Sequence, residues 1–262
     1  MLTNKNIDHG REFDWSLASA DYAKYRDIYP EEFYERIAAL GCCVKGQRVL
    51  DLGTGTGVLP RNLSRFGAEF IGTDISDNQI RYAELLSKQA NLDIKYIVSS
   101  AEDLDFPTES FDVVTACQCF MYFNKEIIIP KIYRFLKPGG HFLILFMAWL
   151  PFESEIAKKS EDLVLKYNPH WTGAGMTRYA VETPDWSKGM FEVTDKIAYV
   201  SNIEFTRESW HGRMKACRGM GASSLPADKI AEWENEHLEY LAQVPEKFTI
   251  PHYISMLNLK KI

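Results

Sequence analysis

Residues 48–57, RVLDLGTGTG, constrain this chain more than any other stretch. Val49 and Leu50 enter it as an apolar run and Asp51 follows. Gly53, Gly55 and Gly57 then alternate with Thr54 and Thr56 before a helical pattern starts at Val58. That is the order of a strand, a glycine turn and a helix start. Glycine suits these places because the turn needs positive φ and because a Cβ would hold the backbone away from a ligand, so the spacing predicts a nucleotide-like molecule lying on the loop. The next apolar run, 70–72, ends in Thr73 and Asp74, a second carboxylate at a strand tip. In a parallel sheet the two acids sit on neighbouring strand ends, and Asp74 is placed to accept hydrogen bonds from ribose hydroxyls.

The dinucleotide fingerprint asks for glycines at relative positions one, three and six. Counted from Gly53 the sixth position is Val58, and counted from Gly55 it is Pro60, so neither register fits. The form present, Asp-x-Gly-x-Gly-x-Gly with an acidic residue ending the next strand, resembles class I S-adenosylmethionine-dependent methyltransferases. Three later segments resemble the same family in the same order: SSAEDLDFP at 99–107, FDVVTACQCFMYF at 111–123, and LKPGGHFLIL from Leu136. The likeness covers roughly residues 1–150.

This resemblance implies an α/β fold: a doubly wound, mostly parallel seven-stranded sheet, Rossmann-like, with an N-terminal cap and a lid inserted after strand five. It implies S-adenosylmethionine as cofactor. Asp51 would lie next to its amino acid end, Asp74 at its ribose hydroxyls, and Ala101 and Glu102 at its adenine, with Gly53, Thr54, Gly55, Gly57, Ile75 and Cys117 also among the cofactor-binding residues. The phrase DYAKYRDIYP looks like the cap of several small-molecule methyltransferases, which makes Tyr22 and Arg26 candidates for closing over the methionine end. The alternative for that pair is packing and a surface ion pair, and for Glu102 a solvated loop.

Composition narrows the rest. At 262 residues and 46% apolar the chain can bury a sizeable core. A single domain is expected, with a cap over 1–41, a cofactor-binding core over 42–149, a lid over 150–190 and a C-terminal part over 191–262 completing the sheet. A net charge of −6 without a basic run argues against a general footprint for nucleic acid and leaves a small molecule as the default acceptor. Five cysteines, Cys42, Cys43, Cys117, Cys119 and Cys217, suit reduced thiols better than a disulfide framework. No metal is expected, because Cys117 and Cys119 lack further ligands at workable spacing. The first residues, MLTNKNIDHGREF, have no apolar leader core and read as polar and loose up to His9, and no stretch reaches the ~18 apolar residues of a membrane span. The expectation is a cytoplasmic monomer or homodimer with neither membrane nor nucleic acid partners.

Along the chain, Pro30 opens a helix to Leu40 that Gly41 stops. Ser76 and Gln79 form a capping-box signature for a helix over 77–90. A strand over 111–117 is of the buried parallel type, and its end delivers Gln118 and Tyr122 to the reaction centre. Pro130 predicts a kink or a late start in a helix over 125–136, and Pro138, Gly139 and Gly140 turn the chain into a strand over 142–147. His141, at the far end of that strand, is a poor base. The segment 151–189 is long for a connection and reads as a lid that brings His170 and Trp171 to the acceptor. Arg207, Arg213, Lys215 and Arg218 make either a solvated basic face or an anion site for the substrate. Two other classes stay open: a non-catalytic S-adenosylmethionine-binding module, and an NAD-dependent oxidoreductase, which the failed glycine pattern disfavours.

Overall fold

Strand β1 (Arg48–Leu52) buries four residues in succession, Val49 to Leu52, as a strand covered on both faces must. In the computed structural model, which describes residues 3–262, it pairs in parallel with β2 (Glu69–Asp74) on one side and β4 (Phe111–Cys117) on the other. The registers set Asp51 opposite Gly72 and Thr115. Strand β3 (Lys95–Val98) extends the sheet beyond β2, and β5 (Leu136–Trp149), β7 (Lys247–Lys261) and β6 (Phe191–Thr206) extend it beyond β4, in the order β3-β2-β1-β4-β5-β7-β6. The result is a mixed, mostly parallel seven-stranded sheet flanked by helices.

Strand β5 begins earlier than the Pro-Gly-Gly sequence suggests. Phe111 pairs with Leu136 and Val113 already with His141, so the extra residues form a bulge inside the strand. Gly139 takes a φ of 72°, and a Cβ on Gly140 would stand 2.9 Å from the Lys137 carbonyl oxygen and 3.0 Å from that of Asp112. Helix α5 (Lys125–Phe135) starts at Lys125 despite Pro130, with Asn124 Oδ1 accepting from Glu126 N at 3.1 Å, so there is no late start. Its buried face, Ile128, Ile129, Ile132 and Phe135, carries enough apolar surface to outweigh the missing hydrogen bond.

The chain forms two compact units. One comprises 29–147, 180–199 and 254–262, the other 1–28, 148–179 and 200–253. The first of these, called the sheet unit below, holds α2 (Glu31–Ala39), α3 (Val58–Leu63), α4 (Asp77–Gln89) and α5, and centres on Leu50, Leu52, Val114, Ile128, Phe135 and Phe142. The other, the helical unit, holds α1 (Ser19–Tyr25), α6 (Glu155–Tyr167), α7 (Arg207–Lys215) and α8 (Ala227–Leu241) around Trp149, Val164, Trp171, Trp210, Met214 and Trp233. Residues 150–190 are a helical insertion between β5 and β6. Most of them join the N-terminal and late helices in a shared core.

Two expectations change within the helical unit. Residues 3–9 are not loose: Ile7 and Asp8 are buried, and Asp8 Oδ1 accepts from Thr172 N at 2.7 Å while its other oxygen pairs with Arg218. Met1 and Leu2 lie outside the described residues. The basic residues of α7 and beyond form no solvated face either. Arg207 donates to the Val244 carbonyl, Lys215 pairs with Glu234, Arg218 pairs with Asp8, and Arg213 is 3% exposed.

Candidate functional site

The glycine turn is built as its spacing requires. Gly53, Gly55 and Gly57 have φ of 60°, 56° and 73°. At Gly53 a Cβ would come within 2.7 Å of Cys119 Cβ, and at Gly57 it would collide with the Tyr96 hydroxyl, so neither place admits a side chain. Thr54 N donates to the Thr73 carbonyl at 2.8 Å, tying the turn to the end of β2. Asp74 completes the tie: its carboxylate accepts from Gly55 N and from Ser76 N, each at 2.9 Å. Ser76 in turn caps α4 by accepting from Gln79 N at 3.3 Å. Ile75, directly after Asp74, is 48% exposed although it is a large apolar residue.

Asp51 is 2% exposed and accepts a hydrogen bond from Thr115 Oγ1 at 2.6 Å. Burial pushes its pKa up to about 6; the hydroxyls of Thr115 and Thr54 pull it down, and the charge of Asp74 pushes it up. Asp74 is raised as well, by burial, against the pull of the backbone amides of Ser76, Gly55 and Ile75. A buried acid, Asp51, and a half-buried one, Asp74, at the ends of adjacent strands thus repel one another and are held by neutral donors. A cation placed beside Asp51 would relieve that repulsion, and the α-ammonium group of S-adenosylmethionine is such a cation. The donor set fits that cofactor.

The other expected residues of the sheet unit follow β3 or lie at and beyond the end of β4. Ala101 is buried at the start of a short 3-10 turn (Ala101–Asp103), and Glu102 Oε1 accepts from Asn124 N at 2.8 Å, so this acid is anchored at the foot of α5. Cys117, half-buried, donates from Sγ to Tyr29 Oη at 3.3 Å. Gln118 holds a φ of 63°, a strained value for a residue with a side chain, kept in place by Gln118 N to Leu145 O at 2.9 Å and by Nε2 to Met147 O at 2.5 Å. Tyr122 ends a 3-10 turn (Phe120–Tyr122) against the apolar core. Thr115 and Cys119, which the position of this strand end also delivers to the reaction centre, both reach back to β1: Thr115 stands opposite Asp51 in register, and Cys119 Sγ donates to Leu52 O at 3.0 Å.

Four expected residues belong to the helical unit. Arg26 Cζ lies 4.5 Å from the centroid of the Tyr22 ring, so these two do form a pair, a cation–π contact. Trp171 is 5% exposed and packs beside Trp149, with a ring separation of 6.4 Å. It is a core side chain, not an aromatic held over an acceptor. His170 meets His9 edge-on at 6.0 Å. Cys42 and Cys43 are buried, with the Cys42 thiol pushed up to about 12 by burial. Among the described residues no cluster of three or more His, Cys, Asp or Glu is arranged to hold a metal ion, and no helix is long and apolar enough to cross a membrane.

Comparison with known proteins agrees with this geometry. Residues 50–144 match a family described as a methyltransferase domain. The ubiquinone biosynthesis O-methyltransferase of Bradyrhizobium diazoefficiens is 33% identical over 150 residues, 56% of this chain and 58% of that protein. The ubiquinone/menaquinone biosynthesis C-methyltransferase UbiE of Vibrio vulnificus is 35% identical over 106 residues, 38% of this chain and 41% of the relative. The chain therefore spans about half the length of the curated relatives it matches. Among solved structures, the YcgJ protein of Bacillus subtilis superposes with a TM-score of 0.55 over 89% of this chain and 100% of that one at 19% identity, a likeness of fold.

Proposed function

We propose that this chain, which carries a class I S-adenosylmethionine-dependent methyltransferase domain, transfers a methyl group from that cofactor to a small-molecule acceptor. The observation that carries the reading is Asp51: a buried carboxyl beside a positive-φ glycine turn, with a pKa pushed up to about 6 and a hydroxyl as its hydrogen-bond donor. Asp51 would accept the cofactor's ammonium group, Asp74 its ribose hydroxyls, and Ile75 and Ala101 would flank the adenine. The backbone amides of the turn would lie against the methionine end. When bound, the cofactor supplies a sulfonium-activated methyl group. The chain's task is then to hold the acceptor in line and exclude water, so a general base is optional.

The strained Gln118, with Cys117 and Tyr122, is proposed to border the acceptor. Strain of this kind is kept where the surrounding structure fixes it for use. The net charge of −6 supports an acceptor other than nucleic acid, and we place the protein in the cytoplasm as a monomer or homodimer. Calorimetry with S-adenosylmethionine on the wild type and on Gly55→Val tests the placement: binding should be lost in the variant while circular dichroism stays the same. Incubation with a metabolite library, read out as S-adenosylhomocysteine, separates an enzyme from a binding module that only senses the cofactor.

A further inference from the structure

Three alternating glycines make a loose turn, because glycine loses more conformational freedom on folding than any other residue, so whatever orders the turn beforehand adds to its affinity for a ligand. Asp74 orders it from the end of β2, by accepting from Gly55 N. A second side chain reaches it from further away. Tyr96 lies on β3, at the edge of the sheet, directly opposite Gly72 of β2 in register. Gly72 has no side chain, and the Tyr96 ring takes that space: a Cβ on Gly72 would stand 2.8 Å from its Cδ1 and Cε1.

By crossing β2 the ring arrives at the turn that follows β1. A Cβ on Gly57 would stand 2.9 Å from Tyr96 Cζ, closer still to its hydroxyl, and 3.2 Å from Ala83 Cβ, so Gly57 is held between β3 and α4. The hydroxyl is itself fixed, 2.9 Å from Ser87 Oγ, and Ser87 is a buried residue of α4. Burial pushes the phenol up to about 12, so it stays a neutral hydroxyl at physiological pH. One residue before Gly57, Arg61 Nη1 donates to the Thr56 carbonyl.

We propose that Tyr96 is a positioning residue for S-adenosylmethionine: its ring and hydroxyl keep Gly57 left-handed, at a φ of 73°, and so hold the turn where its backbone amides can meet the methionine end. The inference rests on the cofactor reading given above and adds to it a side chain, one strand beyond β2, that acts through the turn. Ser87 acts one step further out, through the Tyr96 hydroxyl. A residue that merely fills a core costs stability when it is trimmed. A residue that orders the turn costs cofactor affinity out of proportion to stability.

The test uses the full chain, with calorimetry against S-adenosylhomocysteine, thermal melts, and amide hydrogen exchange of the ligand-free protein. Tyr96→Leu should bind more than tenfold more weakly, and its amides 54–58 should exchange faster while those of β5 keep their wild-type rates. Tyr96→Phe keeps the ring over Gly72 and should lose affinity only severalfold. Phe135→Leu, a core control on α5 that also lowers the melting temperature, should leave affinity and turn exchange unchanged. Ser87→Ala should cost severalfold in affinity on the wild-type background and nothing further on Tyr96→Phe, because both act through one hydroxyl. This cycle decides the matter even if Tyr96→Leu melts early. Equal loss of affinity in Phe135→Leu, wild-type exchange of the turn in Tyr96→Leu, or additive losses for Ser87→Ala and Tyr96→Phe would overturn the role of Tyr96. Wild-type protein that binds no S-adenosylhomocysteine would overturn the cofactor reading and the positioning with it, whereas equal binding by wild type and Tyr96→Leu would overturn the positioning alone.

Discussion

Thr115 holds Asp51: its hydroxyl donates to the buried carboxyl across the β1–β4 pair at 2.6 Å, and it does so from the residue directly opposite in register. The bond steadies a charge that burial disfavours. Because the pKa of Asp51 rises from 3.8 to about 6 on folding, the folded state favours the protonated acid. That contribution to stability is complete below the unfolded value and is lost as pH rises through about 6. A shift of this size is worth on the order of 3 kcal/mol.

Asp51→Asn should accordingly raise the melting temperature of the ligand-free protein at alkaline pH by several degrees, with the gap closing in acid. The same variant should bind S-adenosylmethionine at least tenfold more weakly, and wild-type affinity should fall as pH drops through about 6, because the cation needs the ionised acid. Thermal melts and calorimetry across pH measure the two effects. A variant that is less stable at alkaline pH would contradict the raised pKa.

Asp74 has two tasks, and the substitutions separate them. Its carboxylate already braces Gly55 and Ser76, so Asp74→Ala should weaken the 2′,3′-dideoxy analogue of the cofactor as well as the cofactor itself. The cofactor should lose more, by a further ~1 to 3 kcal/mol or about tenfold to a hundredfold, for the unpaired ribose hydroxyls. Asp74→Asn retains one acceptor for the turn and should spare the analogue. Equal losses for both ligands in both variants would remove Asp74 from the ribose.

Gly53→Ala combines two faults, a left-handed φ and a Cβ 2.7 Å from Cys119 Cβ. It should destabilise the protein by roughly 1 to 3 kcal/mol and abolish cofactor binding. Adding Cys119→Gly should restore part of the stability, since it removes the clash but not the backbone strain. Denaturant titration of the single and double variants measures that coupling, and strictly additive losses would show that the two side chains do not meet.

Deletion of residues 169–175 should melt the helical unit. Trp171 is a core residue, Glu161 Oε2 accepts from Gly175 N at 2.9 Å, and Asn168 Nδ2 donates to Gly219 O at 2.9 Å, so the segment is fastened along its length. Trp171→Ala alone should cost ~3 to 5 kcal/mol, visible in denaturant unfolding. A selective fall in methyl transfer with an unchanged melt would restore a lid role.

The sequence carried the sheet unit well because its signals are local. Apolar runs give β1, β2 and β4, and the three glycines must sit where the backbone turns left-handed. The helical unit was opaque for the opposite reason. Trp149, Trp171, Trp210 and Trp233 are far apart in sequence, and only their shared core makes Trp171 structural. An aromatic in a Gly-rich segment has the same local signature whether it covers a ligand or fills a core. Arg207, Arg213, Lys215 and Arg218 misled in the same way, because their partners Val244, Glu234 and Asp8 come from distant positions. Pro138, Gly139 and Gly140 looked like a turn because a bulge uses the same residues.

The buried pairing of Asp8 with Arg218 bears on how the protein ages. Clipping of the polypeptide ahead of Glu12 would strand a guanidinium group that is only 10% exposed, and breaking such a pair from one side costs about 3 to 5 kcal/mol. Against a total stability of roughly 5 to 15 kcal/mol, such a nick would move much of the population towards unfolding and clearance by quality-control proteases.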